Sequence, residues 1–224
     1  QQFEGTSSIK KGSVLKNGNV NMSFTGWMTL NNNFSFTIGK DAVVNTSPSD
    51  NNTYGELNIK GGSVLTIDGG TFDFIVEQAA GDGSLLTING GTFNANAQIQ
   101  NTTYERNLID IYGGTFDVQS YTQIGWYPNV YGGTFTFDPF DNVTCCGRFT
   151  YLVPHIEDYI SEEKEAGKWT VRKKNVVATI KDNNNNNVFY KCESIEECIA
   201  HTGSGTYFTI TLYQDVTLKD IVSY

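Results

Sequence analysis

The chain has 224 residues, 38% of them hydrophobic, with 23 Gly, 4 Pro and a formal net charge of −9. That length suits one large all-β unit or a repeat array with a small appended module. The acidity is spread along the chain rather than run in blocks. It argues against nucleic acid, whose phosphates need a Lys/Arg footprint, and against attraction to an anionic membrane.

No apolar run approaches the ~18 residues of a membrane span, and none resembles a signal peptide. The start at Gln1 without Met fits a processed mature form or an excised piece. Gly and Asn tolerate left-handed turns, while the abundant Thr, Val, Ile, Phe and Tyr favour strands, so turns and strands are predicted over helix.

Taken in chain order, residues 1–60 read as degenerate capping turns of a repeat. Ile9-Lys10-Lys11-Gly12-Ser13-Val14-Leu15 matches Ile59-Lys60-Gly61-Gly62-Ser63-Val64-Leu65, and Thr29-Leu30-Asn31-Asn32-Asn33-Phe34 echoes Thr66-Ile67-Asp68-Gly69-Gly70-Thr71-Phe72. Ser47 to Asn52 reads as an outward loop.

The regular body is residues 61–140. Gly62-Ser63-Val64-Leu65-Thr66-Ile67-Asp68-Gly69-Gly70-Thr71-Phe72 returns as Gly83-Ser84-Leu85-Leu86-Thr87-Ile88-Asn89-Gly90-Gly91-Thr92-Phe93. The core of the motif appears again as Ile111-Tyr112-Gly113-Gly114-Thr115-Phe116 and Val130-Tyr131-Gly132-Gly133-Thr134-Phe135. A period near 20 of short β-prone runs punctuated by Gly pairs predicts a stacked repeat architecture.

Alternation places Leu65 and Ile67 on one face and Val64 and Thr66 on the other. The Gly-Gly pairs make corners, and the inserts Glu77 to Gly83 and Gln98 to Arg106 are expected as loops. Stacked equivalents predict three columns: Ile67, Ile88, Ile111, Val130; Thr71, Thr92, Thr115, Thr134; and Phe72, Phe93, Phe116, Phe135. At a strand spacing of ~4.8 Å the Phe column is a structural core.

After Phe140 the period breaks. Residues 141–187 read as a helix near Pro154 to Ala166, a strand pair over Trp169 to Ile180, and an Asn-rich spacer. Acidic Glu157, Asp158, Glu162 and Glu163 precede Lys164 and Lys168 there, as a helix dipole favours. Residues 188–224 form a last module. It holds strands at Val188 to Tyr190, Thr206 to Leu212 and Val216 to Val222, and a short helix capped by Ser194 with Glu197 completing a capping box.

Cys145 and Cys146 are adjacent, and Cys192 and Cys198 lie six apart. Zinc-ligand spacing is absent. Buried thiols are expected, with a Cys192–Cys198 disulfide as the alternative.

The apolar-x-Gly-Gly-Thr-Phe units resemble Gly-Gly-Thr-Phe-repeat right-handed parallel β-helices of the pectate-lyase-like superfamily, found in gut-bacterial surface proteins and phage structural proteins. Tyr131 to Pro139, closing with Gly167-Lys168-Trp169-Thr170-Val171, is similar to a recurrent unit of these proteins. Tyr190 to Ile199 and Gly205 to Leu218 resemble the start of a second β-helix. The resemblance spans roughly residues 59–224. It implies an all-β fold, a right-handed parallel β-helix with a small C-terminal α+β module: coils over 1–140 (capping over 1–60, regular over 61–140), then 141–187, then a new module from 188.

Enzymes of this superfamily work through clustered carboxylates. The columns to consider are Asp73, Asn94, Asp117, Thr136 and Asp68, Asn89, Tyr112, Tyr131. Asp73 and Asp117, two coils apart, would stand about 9.6 Å apart by strand spacing, at the edge of the ~5–9.5 Å of glycosidase carboxylates. Residues 61–140 hold one Arg, Arg106, and no Lys, which leaves little to hold an anionic sugar. Asp and Asn at turn corners serve backbone hydrogen bonding instead. No catalytic residues and no resident cofactor are therefore assigned. Asp73 and Asp117 supply at most a weak Ca²⁺ site, since that cation wants about six oxygens or more.

Tyr112, Tyr131, Trp126 and Tyr127, bordered by Tyr104 and Tyr121, form the one candidate ligand patch, suited to sugar rings. The structural repeat residues are Gly69, Gly70, Phe72, Gly90, Gly91, Phe93, Gly113, Gly114, Phe116, Gly132, Gly133 and Phe135. The expected function is a non-catalytic structural and adhesive element, extracellular, on a cell surface or in a virion as fibre, spike or decoration. Its expected partners are copies of itself in an oligomer, filament or virion, and glycans; no nucleic acid and no membrane insertion are expected. The alternative is a β-helix polysaccharide lyase or glycoside hydrolase. The stop at Tyr224, just into the new module, leads us to expect further chain beyond it or docking of that end against another subunit.

Overall fold

The computed structural model describes residues 21–24, 27–30, 33, 35–40, 42–46, 56–72, 75–78, 83–95, 97–101, 108–117, 128–140, 144–145, 148–149, 153–154, 158–183, 189–202 and 207–215. Two compact units emerge, Gln1–His155 with Ser161–Arg172, and Ile156–Ile160 with Lys173–Tyr224. Strand dominates both. Among the described residues no helix is long and apolar enough to cross a membrane.

In the first unit the four-residue runs are strands because their side chains alternate. Leu65 and Ile67 are buried in Val64–Ile67, with Val64 and Thr66 half-buried between them. Successive strands visit three sheets in rotation: Val64–Ile67, Thr71–Phe72 and Ile75–Gln78 fall in different sheets, and Leu85–Ile88 returns to the first.

The first sheet runs Ser35–Ile38, Val64–Ile67, Leu85–Ile88, Ile109–Ile111, Asn129–Val130, Val153–Pro154, all parallel. The second stacks Thr71–Phe72, Thr92–Phe93, Thr115–Phe116 and Gly133–Phe135 in parallel, below them Val43–Thr46 and Asn21–Phe24. The third joins Trp27–Leu30, Glu56–Ile59, Ile75–Gln78 and Gln98–Asn101, also parallel.

All three predicted columns form in register. Ile67, Ile88, Ile111 and Val130 pair in sequence, as do the four Thr. Phe72, Phe93, Phe116 and Phe135 stack with ring centroids 4.8, 4.7 and 4.7 Å apart, and each is at most 1% exposed. Burying each ring contributes about 1.5–3 kcal/mol, and each aromatic pair about 0.5–1.5 kcal/mol more.

The corners are glycine for two separate reasons. Gly91 has φ +108°, a backbone that side-chain-bearing residues rarely adopt. A Cβ on Gly113 would lie 2.4 Å from the Asn89 carbonyl oxygen of the row below.

Several expectations are corrected. Glu77 and Gln78, and Gln98 to Asn101, are not loop but strand of the third sheet, because Val76 and Ile99 enter the core there. Thr29-Leu30 aligns with Asn58-Ile59 of that sheet; the partner of Val64–Ile67 is Ser35–Ile38. Tyr159–Glu165 is a strand, not part of a helix from Pro154 to Ala166. A two-residue turn at Ala166-Gly167, with Gly167 at φ +73°, returns the chain as Lys168–Lys173. That strand pairs antiparallel with the last repeat, Phe135 opposite Trp169 and Thr134 opposite Thr170. Strand pairing overrides the charge pattern that suggested a helix. The Ile9 to Leu15 match, the Ser47 to Asn52 loop and the strand expected at Val216 to Val222 lie outside the described residues.

The second unit is a three-stranded antiparallel sheet, Phe189–Cys192, Ala178–Asp182 and Phe208–Leu212, so the strands expected over Trp169 to Ile180 do not pair with each other. Its helix, Ile195–Ala200, is capped as expected. The Ser194 hydroxyl accepts from the Glu197 N–H at 3.0 Å, while the Glu197 carboxylate reaches back to the Glu193 N–H at 2.6 Å, one residue before the cap. A last correction concerns cysteine. Cys192 and Cys198 are not free thiols but a disulfide, Cα atoms 5.5 Å apart, fully buried with Val177, Ala178, Ile180 and Ile195. Helix and strand of so small a core gain from a covalent tie.

Replacing Phe93 by Ala is expected to lower stability by about 3–5 kcal/mol in urea denaturation, since it leaves a hole between two stacked rings; an unchanged midpoint would contradict the ladder. In the antiparallel hairpin, hydrogen bonds and ion pairs from Arg172 and then Lys164 hold the Glu162 carboxyl at about 2, below its ordinary 4.5. With the folded value depressed, the ion pairs favour the fold above about pH 4.5 and lose that effect as pH falls towards 2. Glu162→Gln is therefore expected to flatten the stability–pH curve between those limits, and a curve that keeps its slope would remove Glu162 as its source.

Candidate functional site

The outer edge of each repeat carries one residue before its Gly-Gly pair: Asp68, Asn89, Tyr112, Tyr131. Their backbone N–H groups donate to Ile38, Ile67, Ile88 and Ile111 carbonyls at 2.7–2.8 Å, so each sits one row above the last. The lower two are joined side chain to side chain, Asn89 Nδ2 donating to Asp68 Oδ1 at 2.8 Å. The upper two stack, ring centroids 4.7 Å apart and 11° from parallel. Tyr112 is 51% exposed and Tyr131 half-buried. This is the strip expected from the sequence. Trp126, Tyr127, Tyr104 and Tyr121 lie outside the described residues.

Across the corner stand Thr71, Thr92 and Thr115, all exposed, with Thr134 half-buried. Below Tyr112 the surface opens into a hollow of about 490 Å³ lined by Lys40, Asp68, Gly70, Thr71, Gly91 and Thr92. Lys40 was not among the sequence candidates. It pairs in position with Gly69 of the next row, where a Cβ would meet Lys40 backbone at 2.5 Å, and the Lys40 row carries no Gly-Gly signature to reveal this.

A second polar column lies on the face where alternation placed Thr66. Thr37, Thr66, Thr87, Asp110 and Asn129 align on the outer face of the first sheet, and Asn129 Nδ2 donates to Asp110 Oδ1 at 2.7 Å. The column past the Phe ladder is formed by Asn94, Asp117 and Thr136, whose N–H groups donate to Phe72, Phe93 and Phe116. Asp73, its lowest expected member, lies outside the described residues, so the Asp73–Asp117 pair is not described. Among the described residues no three His, Cys, Asp or Glu side chains gather as metal ligands do.

In chemical terms, Asp68 and Asp110 each accept from an asparagine amide one row up, an arrangement that holds neighbouring strands. His201, in the second unit, stacks on Tyr190 with centroids 4.3 Å apart. Comparisons of the chain with protein-family models, curated proteins and solved structures find no match.

Asn89→Asp tests the lower half of the strip. It sets two carboxylates directly across adjacent strands, a destabilising pair worth up to about 1 kcal/mol. The melting temperature is expected to fall at low ionic strength and to recover partly as added salt screens the repulsion. A deficit independent of salt would deny that the two side chains meet.

Proposed function

We propose that the chain is a right-handed parallel β-helix of the Gly-Gly-Thr-Phe kind, acting as a non-catalytic structural and adhesive element outside the cell, on a cell surface or in a virion. The rotation of short parallel strands through three sheets, about one row per repeat, supports the fold reading. Right-handedness follows the near-universal hand of parallel crossovers. The observation that carries the function is the unbroken register of the repeats, with Asp68 and Asp110 hydrogen-bonded to the asparagines above them. Side chains set in this way serve the stack, and the Thr and Phe columns repeat without a change of residue. The Cys192–Cys198 disulfide fits an oxidising compartment.

Stacks of this type leave open ends, which assemble with copies or neighbours. Tyr112 and Tyr131 supply the adhesive contact, two stacked rings whose broad apolar face suits a sugar. A polysaccharide-cleaving enzyme is the competing class. The two are separated by a glycan array run beside a reducing-sugar assay, with light scattering to follow assembly. Oligomers that bind glycans without releasing reducing ends, and lose binding in Tyr112→Ala/Tyr131→Ala, are the expected result. Sustained release of reducing ends from any bound polysaccharide would overturn the non-catalytic reading.

A further inference from the structure

Phe208–Leu212 closes one side of the second unit's sheet, and its two sides differ. The inner side pairs with Ala178–Asp182, Leu212 opposite Ala178, Ile210 opposite Ile180 and Phe208 opposite Asp182. The Asn183 N–H donates to the Tyr207 carbonyl at 2.9 Å, and the Tyr213 N–H to the Val177 carbonyl at 3.0 Å. Bonding residues alternate in an antiparallel ladder, so Tyr207, Thr209, Thr211 and Tyr213 turn their backbone groups to the sheet. Phe208, Ile210 and Leu212 aim theirs away from it. Among the described residues no strand lies on that side.

The same three residues carry apolar side chains. They share a face with Ala178 and Ile180, which are buried with Ile195 and Cys198 of the helix. Yet Ile210 is 37% and Leu212 50% exposed. Free edges are commonly blunted by a charge or a proline. The run from Thr206 to Gln214 has neither. The opposite edge is dressed differently: Lys191 pairs there with Asp158, and its carbonyl accepts from Lys174 Nζ at 3.0 Å.

We propose that the outer edge of Phe208–Leu212 is an interface for a second copy of this chain, paired antiparallel about a two-fold axis at Ile210. This deepens the assembly part of the reading above and places it on the second unit rather than on the open ends of the stack.

The strand selects a copy of itself because it is self-complementary. With Ile210 facing its own equivalent, Phe208 meets Leu212 of the partner subunit, and each such pair exchanges two backbone hydrogen bonds. The outward groups of both chains are thereby used at once. On the other face Thr209 meets Thr211 of the partner subunit, a favourable cross-strand pair. The chain carries a net charge of −9, but no like charges meet along this uncharged run. A shift of one residue would set outward backbone groups against inward ones, and a shift of two would leave Phe208 or Leu212 unpaired. A two-fold contact closes on itself, and the opposite edge is occupied, so the product is a dimer and not a fibre.

The test is sedimentation of the full chain over a concentration series. One short strand makes a small interface, so the series runs from about 1 to about 500 μM. The wild type is expected to pass from monomer to dimer. Ile210→Lys and Ile210→Glu each set like charges together at the axis, and should each move the transition at least about tenfold higher. An equal mixture of the two variants should recover the dimer, since opposite charges then meet. Circular dichroism and intact mass verify the fold and the disulfide of each variant. Hydrogen exchange at the Phe208, Ile210 and Leu212 amides should slow as the wild type is concentrated.

Oligomers that persist in both single variants would overturn this interface and leave assembly through the stack ends standing. A wild type that stays monomeric throughout would overturn it as well, while glycan retention on the array would still support the adhesive reading. Protection of the three amides at every dilution would assign the edge to a segment of the same chain and sink the proposal. Monomeric variants whose mixture fails to dimerise would contradict the two-fold register at Ile210.

Discussion

Register is the constraint on which the rest of the first unit depends. A parallel pair of two-residue strands has few hydrogen bonds of its own, and nothing in Thr71-Phe72 alone decides which residues of the next row it should face. The phenylalanines decide it. Rings 4.7–4.8 Å apart and 6–12° from parallel can stack only when each Phe lies directly above the last. A slip by one residue would turn every ring to the exposed face, at a cost of several kcal/mol per turn of the repeat. The isoleucine column does the same work on the first sheet, and the two together lock the corner between them.

The corner in turn explains the outer surface. For rows to close to strand spacing at the turn, the first corner residue must lack a Cβ, and for the chain to swing into the next strand the second must take a positive φ. Gly113 and Gly91 show the two demands. Once those residues are glycine, the residues flanking them become columns of surface side chains in register, whatever their identity. The character of the outer strip is then a matter of which side chains the flanking positions carry, and Tyr112 and Tyr131 are two such choices on a scaffold fixed from inside.

What the sequence revealed followed the strength of the repeat. The Ile, Thr and Phe columns were legible because eleven-residue segments recur nearly unchanged, so alignment alone gives the partners. The third sheet was not. Ile75–Gln78 and Gln98–Asn101 share no motif and include polar Gln and Asn, yet they pair residue for residue because Val76 and Ile99 alternate into the core. Lys40 went unnoticed for the same reason. The hairpin over Tyr159 to Lys173 was misread because acid-then-base order is equally the pattern of cross-strand ion pairs, as Glu162 with Arg172 illustrates. In the second unit, buried thiols were expected because free cysteine is usually buried, with the Cys192–Cys198 disulfide as the alternative. A strand end followed by a capped helical turn does bring their Cα atoms to 5.5 Å. Local charge and spacing underdetermine such places, and tertiary pairing settles them.

The most direct measurement is a cysteine cross-link across the ladder. Thr92 and Thr115 are exposed strand partners on adjacent rows, beside Phe93 and Phe116. Parallel neighbours lie within the ~4.4–6.8 Å between Cα atoms that a disulfide needs. Thr92→Cys/Thr115→Cys should therefore oxidise quickly to a bond identified by peptide mass mapping. The offset pair Thr92→Cys/Asp117→Cys, displaced by two residues along the partner strand, should oxidise slowly. Equal rates for the two pairs, or faster closure of the offset one, would mean that the rows do not hold this register and that the ladder does not organise the fold.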